Sequence, residues 1–232
     1  MTTTKVDFND FAKDYRELHS ENLKITGEDS DYFSEYKIKE ITRFFETNQP
    51  FKVLDYGCGD GNSEVFFEKY FSQASVFGID ISEESIIKAK ERTTKRSQFI
   101  PFNGLEVPYE NDTFDLVYTA CVFHHIDATQ HHKVLSEMHR VLKKGGKLIV
   151  FEHNPVNPFT RKLVRDCVFD EDAVLIYSQK MKEKFHLAGF VNIRSYFTLF
   201  MPRHKFLKPF LFLEKYLRNL PIGGQYYIIA QK

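Results

Sequence analysis

The sequence lacks an excess of charge of either sign. Its 232 residues carry 32 lysines and arginines against 32 aspartates and glutamates, so the formal net charge is zero. Without a net positive charge, the chain has no overall field that would attract nucleic acid or an anionic membrane surface. We therefore expect no nucleic-acid partner.

Cysteines and long apolar runs are also scarce. Cys58, Cys121 and Cys167 are odd in number and too far apart for a zinc site or a disulfide framework. No apolar run approaches the ~18 residues of a membrane-spanning helix, and the N-terminus lacks the basic and apolar regions of a signal peptide. We expect reduced thiols in a cytoplasmic protein without a membrane span.

The most informative segment is a short apolar run that ends at Asp55 and enters a turn containing Gly57, Gly59 and Gly61. The run predicts a strand, and the glycines permit backbone conformations and close approaches that side chains would prevent. A dinucleotide site would need a third glycine where Asn62 stands. Asp55 would repel a pyrophosphate, but it suits an ammonium group.

A second apolar run, 74–80, predicts another buried strand that ends in a carboxylate. Asp80 lies roughly 20 residues past the glycine loop, where dinucleotide-binding folds place the acid that binds ribose hydroxyls. Ser82 and the acids after it predict the start of a helix that runs to about residue 95. We therefore expect Asp80 to bind a ribose.

Strands and helices alternate along the rest of the chain. This pattern predicts a doubly wound α/β sheet in a single domain. Gly145 is expected just past the end of a helix predicted over about 130–142. The remaining strands are predicted at 98–102, 114–119, 147–151, 191–200 and 225–230, and the further helices over about 62–71 and 130–142.

The glycine loop resembles motif I of the class I S-adenosylmethionine (SAM) dependent methyltransferases. Segment 103–118 is similar to the part of that family that holds adenine, and 141–151 to its strand-five signature. The resemblance implies SAM as cofactor and a Rossmann-like sheet of seven strands with an antiparallel last strand. Asn103 stands where the family usually has aspartate, and its amide oxygen is expected to accept the same hydrogen bond. The implied cofactor-binding residues are Asp55, Gly57, Gly59, Gly61, Asp80, Ile81, Asn103, Gly104 and Thr119.

Two amphipathic segments precede the glycine loop. Aromatic residues recur at helical spacing over 7–20 and again over 31–47. These helices either pack onto the sheet or, as the resemblance implies, form a cap of residues 1–48 over a methyltransferase domain of residues 49–232. The predicted substrate-binding residues of the cap are Tyr15, Tyr36 and Lys37.

A second cap is predicted after strand five, over about 152–177. Two Asn-Pro pairs force extended or turn backbone before a short helix that begins at about Phe159. Substrates bind in loops at the carboxyl edge of a parallel sheet. We therefore predict that Asn154, Arg161 and Arg165 bind the substrate and that the arginines hold an anionic group. The alternative is that the arginines pair with the acids at 166–172.

Three histidines follow two central strands. Transfer of a methyl group to a hydroxyl requires a base, and His125 resembles the histidine of the Leu-His-His-Ile type motif in small-molecule methyltransferases. We predict His125 as the base, with His124 and His153 as alternatives. The other interpretation is that one histidine of the His124–His125 pair packs inward and only forms hydrogen bonds with the backbone. The two histidines of the next helix do not converge with Asp127, so no metal is expected.

These features predict a SAM-dependent methyltransferase of a small polar acceptor, acting by O-methylation of a sugar or phosphorylated glycan precursor. Segments 27–37 and 152–172 resemble methyltransferases of bacterial polysaccharide and lipid-linked glycan biosynthesis. One alternative is a C-methyltransferase of a quinone or lipid-like ring, which should have an apolar pocket. Another is a non-catalytic SAM-binding or scaffold subunit.

Two further properties are predicted only as pairs of alternatives, the oligomeric state and the role of one apolar segment. The chain is expected to be a monomer or a homodimer. A basic, apolar-rich helix predicted over 205–220 either covers the sheet or makes peripheral contact with a membrane.

Overall fold

The computed structural model describes residues 29–94, 96–201 and 212–232. Within these residues seven strands form one sheet in the order β3-β2-β1-β4-β5-β7-β6. Strands β1 to β5 are parallel, and β7 lies antiparallel between β5 and β6, which confirms the predicted fold. The strands are β1 Phe51–Tyr56, β2 Ala74–Asp80, β3 Ser97–Pro101, β4 Phe114–Ala120, β5 Leu142–His153, β6 Val191–Thr198 and β7 Gln225–Gln231.

The apolar runs form central strands because both faces of the sheet are covered. Along β5, Leu148 and Val150 pack on one face, while Ile149 and Phe151 pack on the other. None of the four is more than 1% exposed. Full burial of such a side chain contributes about 1.5–3 kcal/mol, so these strands fix the edge at which their carboxyl ends meet.

Helices cover the two faces. Ser82 caps the helix Glu83–Arg92 by accepting the backbone N–H of Ser85 at 3.1 Å, as its sequence position predicts. Two short 3-10 turns, Phe123–His125 and Val168–Asp170, follow β4 and the helix Pro158–Arg165. The helices are α1 Ser30–Ile41, α2 Asn62–Tyr70, α3 Glu83–Arg92, α4 His131–Val141, α5 Pro158–Arg165, α6 Ser178–Leu187 and α7 Glu214–Leu217.

The prediction that Gly145 ends a helix is wrong. Helix α4 stops at Val141, and the chain passes directly into β5. The pairing of β4 with β5 shifts register there, and Gly145 lies within the irregular stretch with a φ of +80°. This backbone conformation favours glycine, so Gly145 shapes a bulge in the strand instead of a helix end.

The predicted helices agree only in part with those of the structure. Helix α6, anchored by the buried side chains of Met181 and Phe185, was not predicted from the sequence. The predicted helix 7–20 and most of the first half of helix 205–220 lie outside the described residues. Among the residues that are described, no helix is long and apolar enough to cross a membrane.

Candidate active site

A cavity of about 920 Å³ opens at the carboxyl edge of the sheet. It lies where the sheet order changes direction, with β2 and β3 on one side of β1 and β4 and β5 on the other. Ligands bind at such a switch point in open α/β sheets. The volume is at the upper end of the ~300–1,000 Å³ typical of ligand pockets, so a cofactor and a small acceptor fit together.

The glycine loop after β1 forms one wall of the cavity. Gly57 has a φ of +78°, and an added Cβ would lie only 2.5 Å from Cγ2 of Val122. The loop is held to β2 because the backbone N–H groups of Gly57 and Cys58 donate to the carbonyl oxygen of Ile79 at 2.8 and 3.1 Å. Gly61 does not line the cavity; it precedes α2 and packs against Ala89.

Two acids at the ends of neighbouring strands face the cavity. Asp80 Oδ2 accepts the N–H of Gly59 and Oδ1 accepts that of Ser82, both at 2.9 Å. Each oxygen therefore accepts a backbone N–H, and a carboxylate can accept further hydrogen bonds from ligand hydroxyls. Asp55 is buried beside it; burial and the Asp80 carboxylate raise the pKa of Asp55 well above its usual range. A cationic ligand group would stabilise this acidic wall.

The other predicted cofactor residues divide into two groups. Ile81, Asn103 and Gly104 line the cavity. The oxygen of the Asn103 side chain already accepts the N–H groups of Leu105 and Glu106 at 2.9 and 2.8 Å, so it shapes its own turn, and the predicted hydrogen bond to adenine has no support. Thr119 is fully buried and does not line the cavity, because β4 turns its side chain into the sheet packing.

The histidines gather at the far end of the cavity. Nδ1 of His124 donates to Glu152 Oε2 at 2.6 Å, and its Nε2 lies 3.4 Å from Asp170 Oδ1. Nε2 of His125 lies 3.3 Å from the same Asp170 oxygen. Burial alone would lower the pKa of His124, but Glu152 and Asp170 raise it well above its usual range. Without a bound cation, these carboxylates therefore favour the charged form of His124.

His153 has a different partner, the thiol of Cys121. Both residues line the cavity, and Cys121 follows β4 with a φ of +59°. Burial alone would raise the pKa of Cys121, but His153 and Lys37 lower it to about 7. The thiolate in turn raises the pKa of His153, against the effect of burial. The two side chains form an acid-base pair inside the cavity.

Helices α1 and α5 bring a different set of side chains to the cavity from the predicted one. Lys37 of α1 lines the cavity, but Tyr36 does not, and Tyr15 lies outside the described residues. Arg161 and Arg165 are exposed and do not line the cavity, because α5 faces it with its other side, through Phe159, Thr160 and Leu163.

Asn154 has a structural role in the segment that follows β5. It is 1% exposed, and its amide nitrogen donates to the carbonyl oxygens of Pro221 and Gly223 at 3.0 and 2.8 Å. The prediction that Asn154 binds substrate therefore has no support from its position, and we assign it to holding the cap against the loop before β7.

Several polar residues of the site were not predicted. Glu152 precedes a predicted histidine, and Asp170 and Asp172 were considered only as partners of the arginines. Nδ1 of His125 donates to Asp172 Oδ1 at 3.1 Å. The sequence does contain the acidic run 170–172. Its histidine partners lie 45 or more positions away along the chain, so these contacts depend on the tertiary fold.

Comparisons with known proteins agree with this site. Residues 54–150 match the family model for a methyltransferase domain, and residues 103–206 match the model for the N-terminal region of anamorsin. The uncharacterized protein MJ0638 of Methanocaldococcus jannaschii is 29% identical over 179 residues, 77% of this chain and 72% of that protein.

Two further likenesses differ in reach. The demethylmenaquinone methyltransferase of Bacillus mycoides is 32% identical over 119 residues, and the match spans 49% of either chain, about half the length of that relative. The crystal structure of a SAM dependent methyltransferase from Archaeoglobus fulgidus superposes with a TM-score of 0.69 at 16% identity, covering 97% of this chain and 100% of that one. At this identity the superposition shows the fold.

Residues 54–150 match a methyltransferase domain, and the chain as a whole shares the fold of a SAM dependent methyltransferase. The described residues fit the cofactor of this class. The glycine loop leaves room for close approach, Asp80 offers lone pairs to ribose hydroxyls, and the buried Asp55 suits an ammonium group.

Proposed function

We propose that the chain transfers the methyl group of SAM to an oxygen of a small acceptor bound at the histidine end of the cavity. The observation that carries this proposal is the continuity of one cavity from Asp80 and the glycine loop to His125 and His153. SAM supplies an electrophilic methyl group on a sulfonium. The remaining tasks fall to the protein, which must orient the acceptor, exclude water and remove a proton.

The cofactor half of the cavity supplies binding and orientation. Asp80 would hold the ribose, while Asp55 and the glycine loop would place the amino-acid end of SAM so that the methyl group points toward β4. Helices α1 and α5 cover the cavity through Phe33, Lys37 and Phe159 and would keep water away from the reacting atoms. The predicted N-terminal cap of residues 1–48 and the predicted cap at 152–177 therefore remain part of our proposal.

Among the three predicted histidines, we favour His153 as the base. His124 and His125 both have their ring nitrogens within 3.4 Å of carboxylates, so an acceptor hydroxyl would have to displace a carboxylate to reach either of them. His153 is paired with a thiol and faces the cavity. His125, oriented by Asp172, is the alternative that the sequence suggested.

The character of the acceptor changes once the arginines are placed. An anionic group held by Arg161 and Arg165 would bind outside the cavity, so we do not assign it to them. Among the described residues, Lys37 is the one lysine or arginine that lines the cavity. We retain O-methylation of a sugar or phosphorylated glycan precursor in polysaccharide biosynthesis, and add that the acceptor carries an apolar part. The apolar lining residues include Phe33, Phe102, Phe159, Leu163, Leu199, Phe200 and Met201.

The same lining favours a second candidate, C-methylation of a quinone or lipid-like ring. An apolar pocket was the feature expected of this activity, and one relative is named as a demethylmenaquinone methyltransferase. An acceptor screen with the purified chain distinguishes the candidates: SAM with a labelled methyl group, a panel of lipid-linked sugars, free sugar phosphates and reduced quinones, and mass spectrometry of the products. Methylated oxygen supports our proposal, and methylated ring carbon supports the second candidate.

Two outcomes would contradict both candidates. SAM binding without turnover on any acceptor class would support the scaffold alternative, and failure to bind SAM would refute the cofactor assignment. The Asp80→Ala variant is the control for labelled product that does not arise from this site. The cytoplasmic location and a monomeric or dimeric state, inferred from the sequence, stay part of the proposal.

A further inference from the structure

We propose that Nε2 of His124, Nε2 of His125 and Oδ1 of Asp170 together bind one divalent first-row transition-metal ion at the acceptor end of the cavity. The sequence-based expectation of no metal considered other residues, His131, His132 and Asp127. The fold brings together a different set.

The carboxylate oxygen has the spacing from both imidazole nitrogens that a metal requires. Asp170 Oδ1 lies 3.4 Å from Nε2 of His124 and 3.3 Å from Nε2 of His125, and each of the three residues offers a ligand atom within 4.8 Å of those of the other two. With metal–ligand distances of about 2.1 Å, neighbouring ligands of a tetrahedral or octahedral ion are about 3.0–3.4 Å apart. Small adjustments of the side chains would therefore complete the site.

Carboxylates behind both imidazoles orient them for ligation. Nδ1 of His124 donates to Glu152 at 2.6 Å, and Nδ1 of His125 donates to Asp172 at 3.1 Å. Metal-binding histidines almost always donate their other ring N–H to such a group, which leaves the second nitrogen to the metal. Glu152 is itself held by the backbone N–H groups of Val122 and Phe123 at 3.2 and 2.8 Å. Two independently oriented histidines that meet at one carboxylate are the observation that carries the proposal.

The donor set selects the metal and leaves it open to a ligand. Two imidazoles and one carboxylate suit Zn²⁺, Mn²⁺, Fe²⁺ or Co²⁺ better than Mg²⁺ or Ca²⁺, which prefer oxygen. All three residues line the cavity. Three protein ligands leave coordination positions for an oxygen of the acceptor, as in catalytic metal sites. The ion would take the place of the arginines as the group that attracts an anionic or hydroxyl-bearing acceptor.

The role of this metal rests on the proposed function, whereas its binding does not. An acceptor hydroxyl on the metal would have a lowered pKa; its proton would pass to His153 as the oxygen attacks the methyl group and the carbon–sulfur bond of SAM breaks. In this arrangement His125 is a metal ligand. The competing explanation of the same contacts is that protonated histidines share the Asp170 carboxylate without a metal.

Titration with Co²⁺ separates these explanations. The full chain is stripped with EDTA, dialysed, and titrated with Co²⁺ while heat and visible absorption are recorded. We expect one equivalent to bind with the spectrum of nitrogen and oxygen ligation. His125→Gln and Asp170→Asn should each weaken binding at least 100-fold, and Asp172→Asn, which removes only the group behind His125, about 10-fold. His132→Gln and Asp166→Asn make matched changes outside the site and should bind as the wild type does.

The outcomes that overturn the proposal are distinct from those that overturn the function. No binding by the wild type, or wild-type binding by the Asp170→Asn variant, refutes the metal site, and thiolate charge-transfer bands would move the metal to Cys121. Because the wild-type spectrum is itself decisive, a variant that fails to fold does not affect the test. Full-rate methyl transfer in EDTA refutes the metal's role but keeps the function. Stoichiometric metal binding with no transfer on any acceptor refutes the function but keeps the site.

Discussion

Oδ2 of Asp80 accepts the backbone N–H of Gly59 at 2.9 Å, which ties the end of β2 to the glycine loop that follows β1. The contact fixes the carboxylate at the mouth of the cavity before any ligand arrives. A second backbone donor, Ser82, holds the other oxygen. Preorganisation of this kind reduces the entropy that a ligand must lose on binding.

The first prediction is that Asp80→Ala weakens SAM binding by about 1–3 kcal/mol, because hydrogen bonds to a charged group are lost. Isothermal titration calorimetry measures the change. Asp112→Asn, a carboxylate substitution on the exposed surface, is the control and should bind SAM normally. Binding of NADH in preference to SAM by the wild type would contradict the assignment of the loop.

The second prediction compares two glycines of the loop. Gly57→Ala should lower the melting temperature more than Gly59→Ala. Both positions have positive φ, which costs a side chain about 1–2 kcal/mol. Only at Gly57 would the new Cβ also overlap Val122, since nothing lies within 4 Å of a Cβ at Gly59. Thermal denaturation without SAM measures the difference, and equal losses would show that the backbone strain alone matters.

The sequence predicted the sheet well because its signals are local. Each central strand contains a short apolar run, and the carboxylates near the ends of β1 and β2 directly follow those runs. The cofactor half of the site therefore followed from the order of residues. Gly145 was misassigned because a positive φ suits a strand bulge as well as a helix end, and only the pairing with β4 distinguishes the two.

The acceptor half depends on how a cap docks, which the sequence indicates less directly. In α5 the residues that pack inward, Thr160, Val164 and then Cys167, follow helical spacing, and this pattern places Arg161 and Arg165 on the solvent side. The spacing of the buried residues, and not the chemistry of the arginines, therefore indicates where the arginines lie. The contacts of His125 with Asp170 and Asp172 could not be predicted from the sequence, because they join segments that come together only in the folded chain.

The third prediction assigns the base. His153→Gln should lower turnover by roughly 100-fold and leave SAM affinity and metal content unchanged, because only the proton acceptor is removed. His125→Gln should lower turnover together with metal content. Rate measurements and metal analysis on the same preparations separate the two roles, with His132→Gln as the neutral control. Normal turnover by the His153→Gln variant would return the role to His125.

The last prediction concerns pH. A base must be unprotonated to act, so turnover should rise with pH through the pKa of His153. Burial would lower that pKa, but the neighbouring Cys121 thiolate raises it above the ordinary value, so the midpoint should lie above the ~6.5 of an unperturbed histidine. Cys121→Ser removes the anion and keeps the burial, and the midpoint should then move to lower pH.

Two measurements check this pair directly. The dependence of kcat on pH is compared for the wild type, the Cys121→Ser variant and a Cys167→Ala control, in which the midpoint should stay in place. The rate at which iodoacetamide alkylates Cys121 should rise with a midpoint near its pKa of about 7, because the thiolate is the nucleophile. In the His153→Gln variant that midpoint should move up, since the nearby positive charge is lost. Identical kcat profiles for the wild type and the Cys121→Ser variant would show that the thiol does not control the base, and His153 would lose its claim to that role.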